Sequence, residues 1–273
     1  MFRYETFKDF RLKENETEMR DGVVIKDIDY PSYKERHGRI KAYLVRPARL
    51  GSFAGILFFH WLGETKSDRT EFLDEAVKLA PQGTVSLLIE GFFPWKEKPV
   101  DGPTDLQQIV DQTIEVRRAL DLLLSQPDVD PQRTAFVGHD YGAMFGAINS
   151  GLEHRVKAYV LMAGLGTFSD WSLKYWPDTA KRGSEVYRQK VSTVDPVHFV
   201  KEAAPASFLF QFANNDKYIP RAKGEEFFSA ASEPKTIKWY GTDHQLGFEA
   251  VARDRTAWLI EQLQLQAAVA SER

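Results

Sequence analysis

The feature that most constrains how this 273-residue chain folds is the stretch Thr134-Ala135-Phe136-Val137-Gly138-His139-Asp140-Tyr141-Gly142-Ala143. A short apolar run passes through Gly-x-Asp-x-Gly directly into a segment of small residues that predicts a helix over 143–150. A strand that turns this abruptly into a helix needs residues without a Cβ where the two backbones cross. The turn also lifts its central side chain, Asp140, out at the carboxyl end of the strand.

The rest of the chain supplies the setting for such a turn. Residues 23–30 and 40–45 are β-rich runs joined by a polar connection and read as an edge hairpin, whereas residues 54–60 are almost wholly apolar, as in a strand buried on both faces. Asp68-Arg69-Thr70-Glu71 has the pattern of a capping box ahead of Phe72, Leu73, Ala76, Val77 and Ala80 at helical spacing. Strands are further predicted over 84–90, 134–137, 158–163, 206–213 and 235–240. Helices are predicted from Leu106 to Leu120, over 143–150, over 220–231 and over 248–265. This alternation predicts an α/β fold, a doubly wound and mostly parallel sheet with helices on both faces. Residues 164–202 break the rhythm with Phe168, Trp171, Tyr175 and Trp176 and read as a small cap inserted over the sheet's carboxyl edge. On this reading residues 1–22 are an N-terminal extension and 23–273 form one domain carrying the cap.

Composition removes several function classes. Lys and Arg number 36 against 39 Asp and Glu, so no excess of positive charge marks a nucleic-acid or anionic-membrane surface, and a small molecule is the expected partner. The chain has no cysteine, which excludes disulfides, thiolate nucleophiles and Cys-based zinc sites and fits a cytoplasmic setting. The first twenty residues lack the apolar core of a signal peptide, and no stretch reaches the roughly 18 consecutive apolar residues of a membrane span. No cluster has metal-ligand spacing, so neither metal nor cofactor is expected. Homo-oligomerisation is left open.

In a doubly wound sheet ligands bind at the carboxyl ends of the strands, and the residues that end strands here are His60, Glu90, Asp140, Asp216 and His244. Asp140, Asp216 and His244 follow the chain order nucleophile, acid, histidine. Through Gly138-His139-Asp140-Tyr141-Gly142, Asn215-Asp216-Lys217-Tyr218-Ile219-Pro220 and Tyr240-Gly241-Thr242-Asp243-His244, the run from Val23 to the C-terminus resembles the α/β-hydrolase superfamily. The likeness is to its dienelactone-hydrolase-like and acyl-peptidase-like esterases. Those esterases carry Ser or Cys at the position of Asp140. Aspartate there resembles the superfamily's epoxide hydrolases and its haloalkane or haloacid dehalogenases.

The resemblance implies a catalytic triad of Asp140, Asp216 and His244 and an oxyanion hole from the Trp61-Leu62 turn and the Tyr141 backbone. Trp61, Tyr141, Phe168, Trp171 and Tyr175 are then the expected substrate-binding side chains. A carboxylate attacks sp³ carbon by displacement, and a histidine oriented by Asp216 then directs water onto the resulting ester. The expected activity is therefore hydrolysis of an epoxide or a carbon-halogen bond through a covalent alkyl-enzyme, with Tyr175 and Tyr187 of the cap as candidate acids and Trp61 as a candidate halide donor. Two alternatives stand beside it: a carboxylesterase or lactonase of the dienelactone-hydrolase-like type, and a non-catalytic fold that binds a ligand or partner in the same pocket. His60 and His139 read as structural histidines that hold loops. Glu90 reads either as a site carboxylate or as a turn cap, and Asp140 itself has an alternative reading as a helix N-cap.

Overall fold

The apolar run around residues 54–60 lies at the middle of a mixed sheet. A computed structural model describes residues 1–6, 9–63, 65–180 and 183–265. Residues 7 and 8 of the expected N-terminal extension, 181 and 182 of the expected cap, and 266–273 of the expected domain lie outside the described residues. The strands are β1 (Lys13–Arg20), β2 (Val23–Pro31), β3 (Arg39–Pro47), β4 (Phe53–Phe59), β5 (Thr84–Ile89), β6 (Val129–His139), β7 (Ala158–Met162), β8 (Ser207–Ala213) and β9 (Lys235–Tyr240). They lie in the order β1-β2-β3-β5-β4-β6-β7-β8-β9. The pairs from β1 to β5 are antiparallel and those from β5 through β9 are parallel.

Alternate residues of β4 belong to two separate cores, which is why its sequence is apolar at almost every position. Phe53, Leu57 and Phe59 face one side. There they meet α2 (Gly102–Leu124) and α3 (Tyr141–Ser150) through side chains such as Ile109, Ile114, Met144 and Phe145. Ala54, Ile56 and Phe58 face the other, beside Ala76 and Leu79 of α1 (Leu73–Leu79) and Val251 and Leu259 of α8 (Glu249–Leu263). Helices thus cover both faces of the parallel region, the doubly wound arrangement of the α/β-hydrolase fold.

The insertion forms α4 (Phe168–Tyr175), α5 (Pro177–Ala180) and α6 (Ser184–Val191), followed by short 3₁₀ turns, and α7 (Arg221–Ala230) connects β8 to β9. Trp171, Phe168 and Tyr187 of this cap join the same core as α2 and α3. The insertion is therefore seated on the domain by apolar burial.

Several boundaries differ from the sequence reading for identifiable reasons. The first strand, β1, lies within the expected extension and pairs along β2; it is almost wholly exposed, so it has no apolar alternation to read. β6 begins earlier than its apolar run because Val129 pairs with Phe53 before a bulge, after which Thr134 pairs with Gly55. α2 begins four residues before Leu106 because Asp101 accepts the Thr104 N–H at 2.8 Å and Pro103 fits the first turn. The expected capping box does not form. Phe72 occupies the N-cap of α1 without a side-chain cap, and Asp68 instead bonds Thr70. Glu71 is drawn elsewhere.

Candidate active site

β4 pairs with β5 on one side and β6 on the other, so the loops leaving the carboxyl ends of β4 and β6 diverge and open a crevice between them. The Trp61-Leu62 turn and Asp140 sit there. At the β6-to-α3 turn a Cβ on Gly138 would lie 2.4 Å from the backbone of Gly142. One on Gly142 would lie 2.1 Å from the Phe59 carbonyl oxygen. Only glycine fits either position. Asp140 itself is held at φ 51°, ψ −113°, a conformation that costs a non-glycine residue about 1–3 kcal/mol. Its backbone N–H donates to the Met162 carbonyl at 2.7 Å, which ties the turn to the neighbouring strand β7.

The structure brings the three expected catalytic side chains together. His244 lies in the loop after β9, with Nδ1 2.8 Å from Asp216 Oδ2 and Nε2 3.7 Å from Asp140 Oδ1. Asp216 is in turn fixed by the Tyr218 and Ile219 N–H groups, which donate to its Oδ1 at 2.7 and 2.9 Å. Burial disfavours a charge on His244, but the two flanking carboxylates outweigh it and raise the imidazole from 6.5 to about 10. Asp140 is only 2% and His244 only 6% exposed, so this pair is shielded from water.

The Trp61-Leu62 turn is set by its peptide plane. The Gly91 N–H donates to His60 Nε2 at 3.0 Å, which leaves Nδ1 to carry the hydrogen that bonds the Trp61 carbonyl at 2.9 Å. Burial lowers the pKa of His60, favouring this neutral form. The Trp95 indole donates to the same carbonyl at 3.2 Å. A peptide C=O and the N–H that follows it point in opposite directions. Holding the Trp61 oxygen outward therefore turns the Leu62 N–H inward, where it meets Asp140 Oδ2 at 3.3 Å. The Trp61 N–H, expected to face an oxyanion, is committed to Glu71 Oε2 at 2.7 Å.

Above Asp140 lies a cavity of about 370 Å³ walled by Trp61, Trp171, Tyr175, Trp176 and Tyr218, with Asp140 and His244 in its lining and Lys217 contributing a cation. Trp61, Trp171 and Tyr175 thus line this cavity. Tyr141 and Phe168 are fully buried behind them, Tyr141 edge-on to Trp171 with ring centroids 4.0 Å apart, and they support the wall without lining it. The Tyr175 hydroxyl is buried without a hydrogen-bond partner, whereas the Tyr187 hydroxyl donates to Asp105 at 2.7 Å, outside the cavity. Glu90 pairs with Lys96 at 3.3 Å and is not part of the lining. Trp95 has no role in the sequence pattern, and Glu71 has only that of a capping-box residue. Neither carries a local pattern that reveals a partner tens of residues away. Among the described residues no group of three or more His, Asp and Glu side chains could hold a metal ion, and no helix is long and apolar enough to cross a membrane.

No protein-family model and no curated protein sequence matches the chain. Solved structures do match in fold. An acetyl xylan esterase from Paenibacillus sp. R4 superposes with a TM-score of 0.77 at 17% identity, over 94% of this chain and 90% of that one. Acetyl xylan esterase 1 from Thermoanaerobacterium sp. JW/SL YS485 gives 0.72 at 14% identity over 93% and 88%. An S-formylglutathione hydrolase from Agrobacterium tumefaciens gives 0.68 at 16% identity over 92% and 99%. The fold is thus the α/β-hydrolase fold.

The expected hydrolysis of an epoxide or carbon-halogen bond through an alkyl ester on Asp140 is corrected by these findings. The similar structures are named for esterase and S-formylglutathione hydrolase activity. Two of the three donors that displacement chemistry was expected to use are engaged elsewhere, the Trp61 indole with the Thr65 carbonyl at 3.1 Å and Tyr187 with Asp105, while Tyr175 keeps an unpartnered hydroxyl in the cavity wall.

Proposed function

We propose that the protein is a hydrolase of carboxylic esters or lactones, and that it directs water onto the acyl carbon with Asp140 as general base and His244 as general acid. The single observation that carries this reading is the pairing of the Asp140 carboxylate with a His244 imidazolium whose pKa is raised to about 10, at the foot of an aromatic cavity. The esterase-like fold supports it.

The proton inventory closes with these two groups. The Leu62 N–H anchors Asp140 Oδ2, which leaves Oδ1, buried and without a hydrogen-bond partner, as the base. Water adds to the acyl carbon as Oδ1 takes its proton, and the carbonyl electrons move to oxygen. The Tyr141 N–H, among the first N–H groups of α3 that have no intrahelical acceptor, stabilises that oxyanion. Collapse expels the alcohol oxygen, which takes the proton of His244 Nε2. The proton held by Asp140 then passes to His244 and restores the resting pair. An acid raised to about 10 suits leaving groups of phenol-like or enol-like acidity more than simple alkoxides.

A panel of phenyl esters, enol lactones and ethyl esters, with product formation followed for the native protein, Asp140→Asn and His244→Gln, tests the reading. Turnover of the activated esters is expected, with a loss of about 10²–10⁴-fold in either variant, the usual contribution of a positioned acid or base. Absence of native turnover across the panel, or variants as active as the native protein, overturns it.

A further inference from the structure

We propose that Glu71 and His139 are positioning residues, a clamp that holds the Trp61-Leu62 turn and the His244 loop in register across Asp140. The catalytic part of this proposal rests on the ester-hydrolase reading; the clamp itself does not.

Three separate segments of the chain meet in it. Glu71 precedes α1, His139 is the last residue of β6, and His244 follows β9. His139 Nδ1 lies 2.6 Å from Glu71 Oε1 and its Nε2 lies 2.9 Å from the His244 carbonyl oxygen. The second oxygen of Glu71 takes the Trp61 N–H at 2.7 Å. One carboxylate therefore fixes both the peptide before the Leu62 donor and the histidine next to Asp140. That histidine in turn holds the backbone of His244.

The chemistry of the contacts makes the link specific. Both ring nitrogens of His139 face acceptors, a carboxylate and a carbonyl, and each bond requires an N–H on the ring. A neutral imidazole has one, so the complete clamp needs the imidazolium. The Trp61 indole stacks parallel to that ring, with centroids 5.2 Å apart and planes at 5°, as a cation beside an aromatic face favours. His139 is 1% exposed, so these bonds do not compete with water. Without the clamp, Asp140 and His244 retain their own contacts, but the Leu62 N–H and the His244 backbone lose a shared reference.

Two isosteric substitutions separate the halves of the clamp. In His139→Asn the side-chain amide takes the place of Nδ1, keeps Glu71 and releases the His244 carbonyl. In His139→Gln it takes the place of Nε2 and does the reverse. Nitrogen-correlated NMR of the native protein is expected to show protons on both His139 nitrogens, as its two acceptors require. His139→Asn is expected to shift the His244 ring signals, and His139→Gln to leave them close to native. With phenyl ester substrate, Glu71→Gln and His139→Asn are each expected to lower kcat about tenfold with KM within about twofold, the kinetic size of one lost hydrogen bond to a charged group.

A single protonated nitrogen on native His139 overturns the clamp. So do His244 signals that stay unchanged in folded His139→Asn. If the native protein hydrolyses no ester, the function fails while these NMR results still decide the clamp. If turnover is present and Glu71→Gln and His139→Asn retain native kcat, the clamp fails while the function stands.

Discussion

At the scale of single residues, His244 makes the protein's stability depend on pH in a definite direction. Its folded-state pKa, about 10, lies above its ordinary 6.5, so the native state holds a proton that the unfolded chain releases between those values. The stabilisation is fully present below about 6.5 and is lost as pH rises through about 10. Unfolding midpoints measured from pH 6 to pH 11 are expected to fall more steeply for the native protein than for His244→Gln over that window. Parallel profiles would remove the imidazolium from the account. Asp140, Asp216 and His244 were legible in the sequence because glycine spacing and strand ends mark such positions without any knowledge of contacts. Glu71 was not. Its place three residues after Asp68 satisfies a local capping pattern, while its partners lie across the fold at Trp61 and His139. A carboxylate that takes two hydrogen bonds away from water is held more firmly than a solvated cap.

At the scale of elements, the account rests on how closely β6 and α3 pass each other and β4. Gly142 carries the sharpest test, because an added Cβ would meet the Phe59 carbonyl, a backbone atom that cannot rotate away. Gly142→Ala is expected to lower the free energy of unfolding in urea by at least about 2 kcal/mol, the scale of an overpacked core. Gly241 has nothing within 4 Å of such a Cβ, and Gly241→Ala is expected to stay within about 0.5 kcal/mol of native. Similar losses at both positions would show that the close approach does not govern the turn. The central strands and the helices between them were legible because burial on one or both faces imposes period or continuity on sequence. β1 was illegible for the converse reason. Its residues Lys13 to Arg20 are polar almost throughout, and the strand is made by pairing to β2, with charges that blunt an exposed sheet edge.

At the scale of the whole molecule, the site is a product of sheet order. Only the divergence of chain on either side of β4 places the Trp61-Leu62 turn beside the β6 turn, and only the inserted helices give the crevice an aromatic roof. The fold, and the strand ends that meet at the candidate site, could be read from the alternation of elements, whereas the reaction could not. Aspartate at the apex of the turn suggested displacement at sp³ carbon, because the chemistry of an isolated carboxylate allows little else for a nucleophile. In the folded protein one oxygen of that carboxylate is anchored by Leu62 and the other faces the His244 ring, the arrangement that the proposed base and acid require. The decision between nucleophile and base belongs to contacts made across 78 and 104 residues of chain, counted from Asp140 to Leu62 and to His244, and no local pattern encodes them.

The central claim is that water, not Asp140, attacks the acyl carbon. Single turnover of a phenyl ester in heavy-oxygen water, with mass spectrometry of both the product acid and the peptide containing Asp140, tests it directly. The account predicts one heavy oxygen in the product acid, none in Asp140, and no acyl adduct on Asp140 when His244→Gln is trapped during the reaction. Heavy oxygen in the Asp140 carboxyl, or an adduct on that residue, would contradict it.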